Sequence, residues 1–140
     1  MTTTAAEGTA PDGRRFVQPE TRAQLRAWLA AHQEDGAGAW VASWKKATGR
    51  PAVPYNDLVE ELLCVGWVDS TAGTLDPERG MLWCAPRKKG SGWSRPNKER
   101  VARLEAQGHL LPRGSAVIEA ARADGSWAKL DDVENLVEPA

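Results

Sequence analysis

The chain has 140 residues, 41% of them apolar and 26% charged, a composition that fits one folded domain and excludes a chain too polar to form a core. Its net charge of −1 argues against strong attraction of the whole molecule to polyanions or anionic membranes. No apolar run approaches the roughly 20 residues that span a bilayer, and the first residues lack the basic start and apolar centre of a signal peptide. We therefore expect a cytoplasmic protein without a transmembrane segment.

The N-terminal part is predicted to contain a tail and a first helix. Residues 1 to about 15 are small and polar and contain Gly and Pro, so we expect a disordered tail there. A helix is predicted from Glu20 to His32, because Leu25, Trp28 and Leu29 recur at helical spacing.

The next segment, Trp40–Lys46, fits two structures. Trp40 and Trp44 are four residues apart and could share one face of a helix, but they also share one face of a strand. The short length and the flanking glycines favour the strand.

A second helix is predicted to begin near Pro54 and to end at Gly66. Leu58, Leu62 and Val65 form its inner stripe. Two acidic residues, Glu60 and Glu61, are expected to face water.

The remainder is predicted to form a hairpin, two helices and a tail. The strands are Trp67–Ala72 and Met81–Ala85, and the helices are Ser94–Gln107 and Ser115–Arg122. Residues 131–140 form an acidic C-terminal tail. Residues 16–130 are thus expected to form a single α+β domain, in which a small antiparallel sheet (the hairpin at about 67–85 and the strand at about 40–46) packs against about four helices.

Charge is concentrated in one segment of this domain. Between Arg87 and Arg103, seven cationic residues accompany only one acidic residue, Glu99, so the segment carries +6 and the rest of the chain −7. Such a run is commonly a solvated loop followed by the outer face of a helix. It is also typical of an anion site, because the start of a helix offers free N–H groups and Arg, Ser and Asn add further donors.

The tryptophans and a single aspartate near this segment each have two interpretations. Trp67, Trp83 and Trp93 fit the core, although one of them could form the floor of a pocket. Asp69 could accept a hydrogen bond from an indole or pair with Arg87 or Lys45. Shielded by indoles, it could instead act as a general base, which makes it a weak catalytic candidate.

Two cysteines and two histidines in the whole chain have no recognised metal-ligand spacing, so neither a metal site nor a cofactor is expected. Cys64 and Cys84 are predicted to be reduced thiols in the core.

These observations predict a binding module whose ligand is an anionic small molecule or an acidic protein segment. The predicted ligand-binding residues are Lys45, Trp67, Asp69, Arg87, Lys88, Ser91, Trp93, Ser94, Asn97 and Arg100. Two alternatives remain open. One is a nucleic-acid-binding module, which the acidic remainder makes unlikely. The other is an enzyme in which Asp69 is the base and the basic loop stabilises a developing anion.

Several spaced motifs also occur in a fixed order along the chain. They are Leu63-Cys64-Val65-Gly66-Trp67-Val68-Asp69, Pro86-Arg87, Ser91-x-Trp93-Ser94-x-x-Asn97-x-x-Arg100-Val101-x-x-Leu104, Gly108-x-x-x-Pro112-x-Gly114 and Ala121-x-x-Asp124-Gly125-x-Trp127. With these motifs the chain resembles the bacterial OmpD-associated, bacteriocin-protection family, from about Phe16 to Asn135. The resemblance implies a cytosolic bacterial protein linked to tolerance of antimicrobial peptides and envelope stress, and implies no defined reaction.

The chain departs from that family in two places. Cys84 stands where members usually carry an aromatic residue. The sequence to Ala140 also lacks the further helical segment with a basic end that members usually have.

Overall fold

The computed structural model describes residues 4–131, which contain a sheet of five strands. The strands are β1 (Ala6–Thr9), β2 (Arg15–Gln18), β3 (Ala39–Trp44), β4 (Trp67–Asp76) and β5 (Arg79–Pro86). Their order across the sheet is β1-β2-β3-β5-β4, and every neighbouring pair is antiparallel except β2 with β3. A parallel pair needs a crossover connection, which the first helix provides.

Four helices complete the fold. They are α1 (Arg22–His32), α2 (Tyr55–Cys64), α3 (Arg95–Ala106) and α4 (Pro112–Asp124), with 3₁₀ turns at Lys46–Thr48 and Ser126–Ala128. The predicted α+β class, the hairpin and the strand near residue 40 are confirmed. The sheet is larger than predicted and is not wholly antiparallel.

The predicted disordered tail is wrong for residues 6–9, which pair with β2 along their whole length. Glu7 also accepts a hydrogen bond from the indole N–H of Trp28, at 3.0 Å. The two strands are only four residues long and of mixed polarity, and Glu7 and Trp28 are 21 residues apart, so local composition did not reveal these contacts. The acidic tail predicted at 131–140 lies outside the described residues, apart from Asp131.

All four helices contribute side chains to one core, which they form together with the sheet. Val41 and Trp67 face this core from the sheet, and Leu25, Leu62 and Leu104 face it from α1, α2 and α3. Cys64 and Cys84 are both free thiols in this core, as predicted.

The opposite face of the sheet carries aromatic rings and arginines. Trp40 and Trp83 are cross-strand partners whose ring centroids lie 5.4 Å apart. The guanidinium of Arg14 lies 4.1 Å from the Trp83 ring, and Asp12 binds both Arg14 and the Trp40 indole N–H. Residues of the β1–β2 turn therefore cover these rings.

The prediction that Glu60 and Glu61 face water is wrong. Both are buried where α2 meets α1 and α3. Arginines from the neighbouring helices pair with them. Arg22 and Arg26 bind Glu61 at 2.6 and 3.0 Å, and Arg22 and Arg103 bind Glu60 at 2.9 and 2.8 Å.

Two glycines bring α4 against the end of α2. At Gly114 a Cβ atom would lie closer than 3.0 Å to the carbonyl oxygen of Cys64. Gly66, with φ +73°, ends α2 in the left-handed conformation and lies against Val117 of α4. This close approach places α4 beside the loop that follows β5.

Candidate functional site

The basic loop, residues 87–94, connects β5 to α3. Pro86 ends the strand, and Gly90 adopts φ +82°, which allows the chain to turn. Ser94 then caps α3 by accepting a hydrogen bond from the backbone N–H of Asn97, at 3.3 Å. The predicted start of this helix at Ser94 is confirmed.

Arg87 is the first residue of this loop, and its guanidinium is fixed in place. It lies 3.9 Å from the ring centroid of Trp93, which is only 1% exposed, and one terminal nitrogen donates to the Gly92 carbonyl at 2.8 Å. Its Nε and Nη1 atoms are buried and have no hydrogen-bond partner within residues 4–131. Burial lowers the pKa of Arg87, and the Asp69 carboxylate partly opposes this shift.

A cleft of about 220 Å³ lies between the basic loop and α4. Arg87, Lys88, Lys89 and Arg113 supply four positive charges to its lining, against the single carboxylate of Asp124. Ser91 and Trp93 also line it. The cleft is therefore cationic.

The side chains of Lys88 and Lys89 are less constrained by contacts than the side chain of Arg113. Arg113 donates to the carbonyls of Val65 and Gly66, at 2.7 and 3.1 Å, and so caps the end of α2. Lys88 and Lys89 are exposed, and neither forms an ion pair with any residue between 4 and 131. The lysines are the cations that can respond to a ligand.

Asp69 lies on the other side of Arg87, away from this cleft. It lines a void of about 10 Å³ together with Arg87, Asn97 and Trp67. Such a void holds about one water at most. Asp69 accepts a hydrogen bond from the hydroxyl of Tyr55 at 3.0 Å, and among the described residues no indole or cationic side chain donates to it.

Tyr55 was not foreseen as part of this region. Its ring is 57% exposed. Burial of the hydroxyl and its hydrogen bond to Asp69 raise the pKa of Tyr55.

Two further predicted site residues, Arg100 and Trp67, form hydrogen bonds to neighbouring parts of the fold. Arg100 donates to the side-chain oxygens of Asn56 and Asn97, at 3.0 and 2.9 Å, and so joins the start of α3 to α2. Trp67 is buried, and its N–H donates to the Gln33 carbonyl at 3.2 Å.

Lys45 does not belong to the site. Ala39 pairs with Cys84, which also pairs with Asp69, whereas Trp44 pairs with Arg79 near the hairpin turn. Lys45 therefore lies six residues along β3 from the level of Asp69, about 20 Å away at the rise of a strand. The predicted site is thus two adjoining cavities that share Arg87, with Lys45 at the far end of the sheet.

The α4 side of the cleft contains no residue that the sequence predicted as part of the site. Arg113, Val117, Ala120, Ala121 and Asp124 line it from that helix. Their spacing puts them on one helical face, which a helical projection of residues 112–124 would have shown. Nothing local to α4 indicates that this face meets the basic loop.

Asp124 is held at the end of α4. The hydroxyl and backbone N–H of Ser126 donate to its carboxylate at 2.6 and 2.8 Å. These hydrogen bonds lower the pKa of Asp124.

Within residues 4–131, no group of three or more His, Cys, Asp or Glu side chains is placed to hold a metal ion. No helix in that range is both long and apolar enough to cross a bilayer.

One family profile, described as a domain of unknown function (DUF8412), matches residues 17–117. No curated protein and no solved structure matches the chain.

Proposed function

The chain belongs to the family of that domain of unknown function, which covers most of its length, and we propose that it is a binding protein for small anions. The ligand site is the cleft between the basic loop and α4. Binding uses the guanidinium of Arg87 and the ammonium groups of Lys88 and Lys89.

The observation that carries this proposal is the state of Arg87. Two of its nitrogens, Nε and Nη1, are buried and have no hydrogen-bond partner among the described residues, and Arg87 lines a cleft with an excess of positive charge. An unsatisfied buried donor costs about 1–3 kcal/mol. An oxyanion that bridges Arg87 and the loop would supply the acceptor and the opposite charge together.

The geometry of Arg87 favours such a role. Stacking on Trp93 and the hydrogen bond to Gly92 fix the guanidinium before any ligand arrives. Less side-chain entropy is then lost on binding. A guanidinium also offers a planar fork that matches carboxylate and phosphate oxygens.

Lys88 and Lys89 add attraction at the rim. Because they are exposed, their contribution should weaken as salt screens them. Anion binding at this site is therefore expected to be tighter at low ionic strength.

We further propose that this binding serves tolerance of antimicrobial peptides and envelope stress. The support is the resemblance of the spaced motifs to the OmpD-associated, bacteriocin-protection family. In a bacterial strain that depends on this protein for such tolerance, the variant with Lys88→Glu and Lys89→Glu should lose it while the folded protein accumulates normally. Full tolerance with this variant would separate the phenotype from the cleft.

The test of anion binding compares two charge-matched double variants. Inorganic phosphate and citrate should bind the wild-type protein, measured by calorimetry and by the rise in melting temperature that binding produces. Lys88→Glu with Lys89→Glu reverses two charges at the rim and should weaken binding on the order of tenfold.

The control is Lys45→Glu with Lys46→Glu, which makes the same change in net charge at two exposed lysines near the far end of the sheet. It should bind like the wild type. Equal affinities in all three proteins would refute the proposed site.

A further inference from the structure

The α4 side of the cleft has an apolar stretch between the charged residues Arg113 and Asp124. Val117, Ala120 and Ala121 of α4 form it, and Trp93 lies in the lining beneath Arg87. Ala120 is exposed and Val117 half-buried, so part of this apolar surface is in contact with solvent. A simple inorganic anion has no apolar group that could bury this surface.

Residues that follow α4 contact the basic loop. Lys129 donates to the Gly90 carbonyl at 3.1 Å, and Leu130 lies directly against Gly92. Trp127 packs on Trp93, with ring centroids 5.0 Å apart. These contacts join α4 to the basic loop and give the cleft a fixed width.

The volume sets the size of the ligand. About 220 Å³ corresponds to roughly seven water-sized groups at about 30 Å³ each. An oxyanion occupies only part of this space, and the rest borders the apolar wall.

We propose that the ligand is an amphipathic anion, namely a phosphate or carboxylate that carries a short alkyl or aromatic group. This inference rests on the proposed anion-binding function. The oxyanion binds Arg87 and the loop lysines, and the apolar group lies against Val117, Ala120 and Ala121.

Three probes separate the contributions to binding: inorganic phosphate, butyl phosphate and butanol, each titrated into the full chain by calorimetry. Each methylene that leaves water should tighten binding by roughly fourfold. Butyl phosphate should therefore bind at least tenfold tighter than phosphate, and butanol alone should bind more weakly than either.

A variant of the apolar wall tests the position of the alkyl group. Ala120→Phe fills the cleft from an exposed helical position and leaves every cation unchanged. It should remove the tenfold advantage of butyl phosphate but leave the affinity for phosphate within about twofold of the wild type. The matched control is Ala123→Phe, one turn further along α4 at an exposed position outside the cleft lining, and it should preserve the advantage.

The three titrations distinguish failure of the amphipathic ligand from failure of anion binding. If phosphate and butyl phosphate bind equally, the amphipathic ligand is ruled out while anion binding stands. If neither binds, or if butanol binds as tightly as butyl phosphate, anion binding itself fails.

The same chemistry occurs in free phosphate monoesters and in lipids such as phosphatidic acid. Co-sedimentation with phosphatidylcholine vesicles that contain phosphatidic acid, lost in Ala120→Phe, would identify a lipid source. Binding of butyl phosphate without co-sedimentation would identify a free monoester. Both results support the amphipathic ligand.

Discussion

Gly114 shows how one missing side chain fixes the position of a helix. It is the third residue of α4, and its backbone lies against the last turn of α2. A methyl group there would overlap the Cys64 carbonyl. The position of α4 beside the basic loop, and hence the cleft, depends on this close contact.

Replacement of Gly114 by alanine should therefore destabilise the protein, although alanine normally favours a helix by about 1 kcal/mol over glycine. The overlap involves backbone atoms, which cannot move aside as a flexible side chain does, so we expect a loss of about 3 kcal/mol. The free energy of unfolding in urea measures it. Gly36→Ala is the control, because nothing lies within 4 Å of a Cβ at that position. A neutral Gly114→Ala would mean that α4 can shift away from α2.

At the scale of single residues, the sequence predicted the helix start at Ser94, the buried thiols and the grouping of Asp69, Arg87 and Asn97. It did not predict the hydrogen bond from Tyr55 to Asp69 or the exclusion of Lys45. Both depend on strand register, which period-two alternation leaves undefined.

In α2, the amphipathic pattern predicted only part of the surface that the fold buries. The apolar stripe correctly predicted the face that meets the sheet, and it left Glu60 and Glu61 on the remaining surface. Helices α1 and α3 cover that surface as well. Their arginines lie about forty residues away in sequence on either side, and only the fold brings them together with the glutamates.

Glu61 should contribute to stability through this contact, because it is 3% exposed and bound by two arginines. Glu61→Gln keeps the shape but removes the charge, leaving Arg22 and Arg26 with weaker partners. We expect a loss of about 2 kcal/mol in chemical unfolding, the usual contribution of hydrogen bonds to charged groups.

Glu34→Gln provides the comparison, since the Glu34 side chain is 82% exposed and its ion pair with Arg113 spans 4.0 Å. That variant should unfold like the wild type. If both variants lose the same amount, the effect follows from net charge and not from the helix contact.

The hairpin and the basic loop were predictable because their signals are local: alternating residues around a turn, and a proline at the end of a strand. The β1–β2 pair was not, because four-residue strands of mixed polarity carry almost no pattern of their own. Their structure comes from pairing across the sheet.

For the whole molecule, paired carboxylates determine the response to acid. Burial alone raises the pKa of Glu60, but hydrogen bonds from Arg103 and Arg22 outweigh this effect and hold its pKa below the usual 4.5. Arg122 lowers the pKa of Glu105 through a hydrogen bond. In both cases the unfolded chain takes up a proton at a higher pH than the folded protein does.

Stability should therefore be complete at neutral pH and should fall as the pH drops below about 4.5 and through the lower folded-state values. The measurement is the free energy of unfolding in urea between pH 7 and pH 3. A variant with Glu60→Gln and Glu105→Gln should be less stable at pH 7 and less sensitive to acid. A wild-type protein equally stable at both pH values would contradict these pKa directions.

The short strand β1 also has a practical consequence for handling the protein. It covers the outer side of β2, and without it the backbone N–H and C=O groups of Arg15–Gln18 would be free to pair with another molecule. A chain shortened to begin at residue 10 should consequently self-associate on gentle heating, which light scattering would detect. Affinity tags and cleavage sites that displace residues 6–9 are for that reason best avoided when the protein is produced for crystallisation or titration.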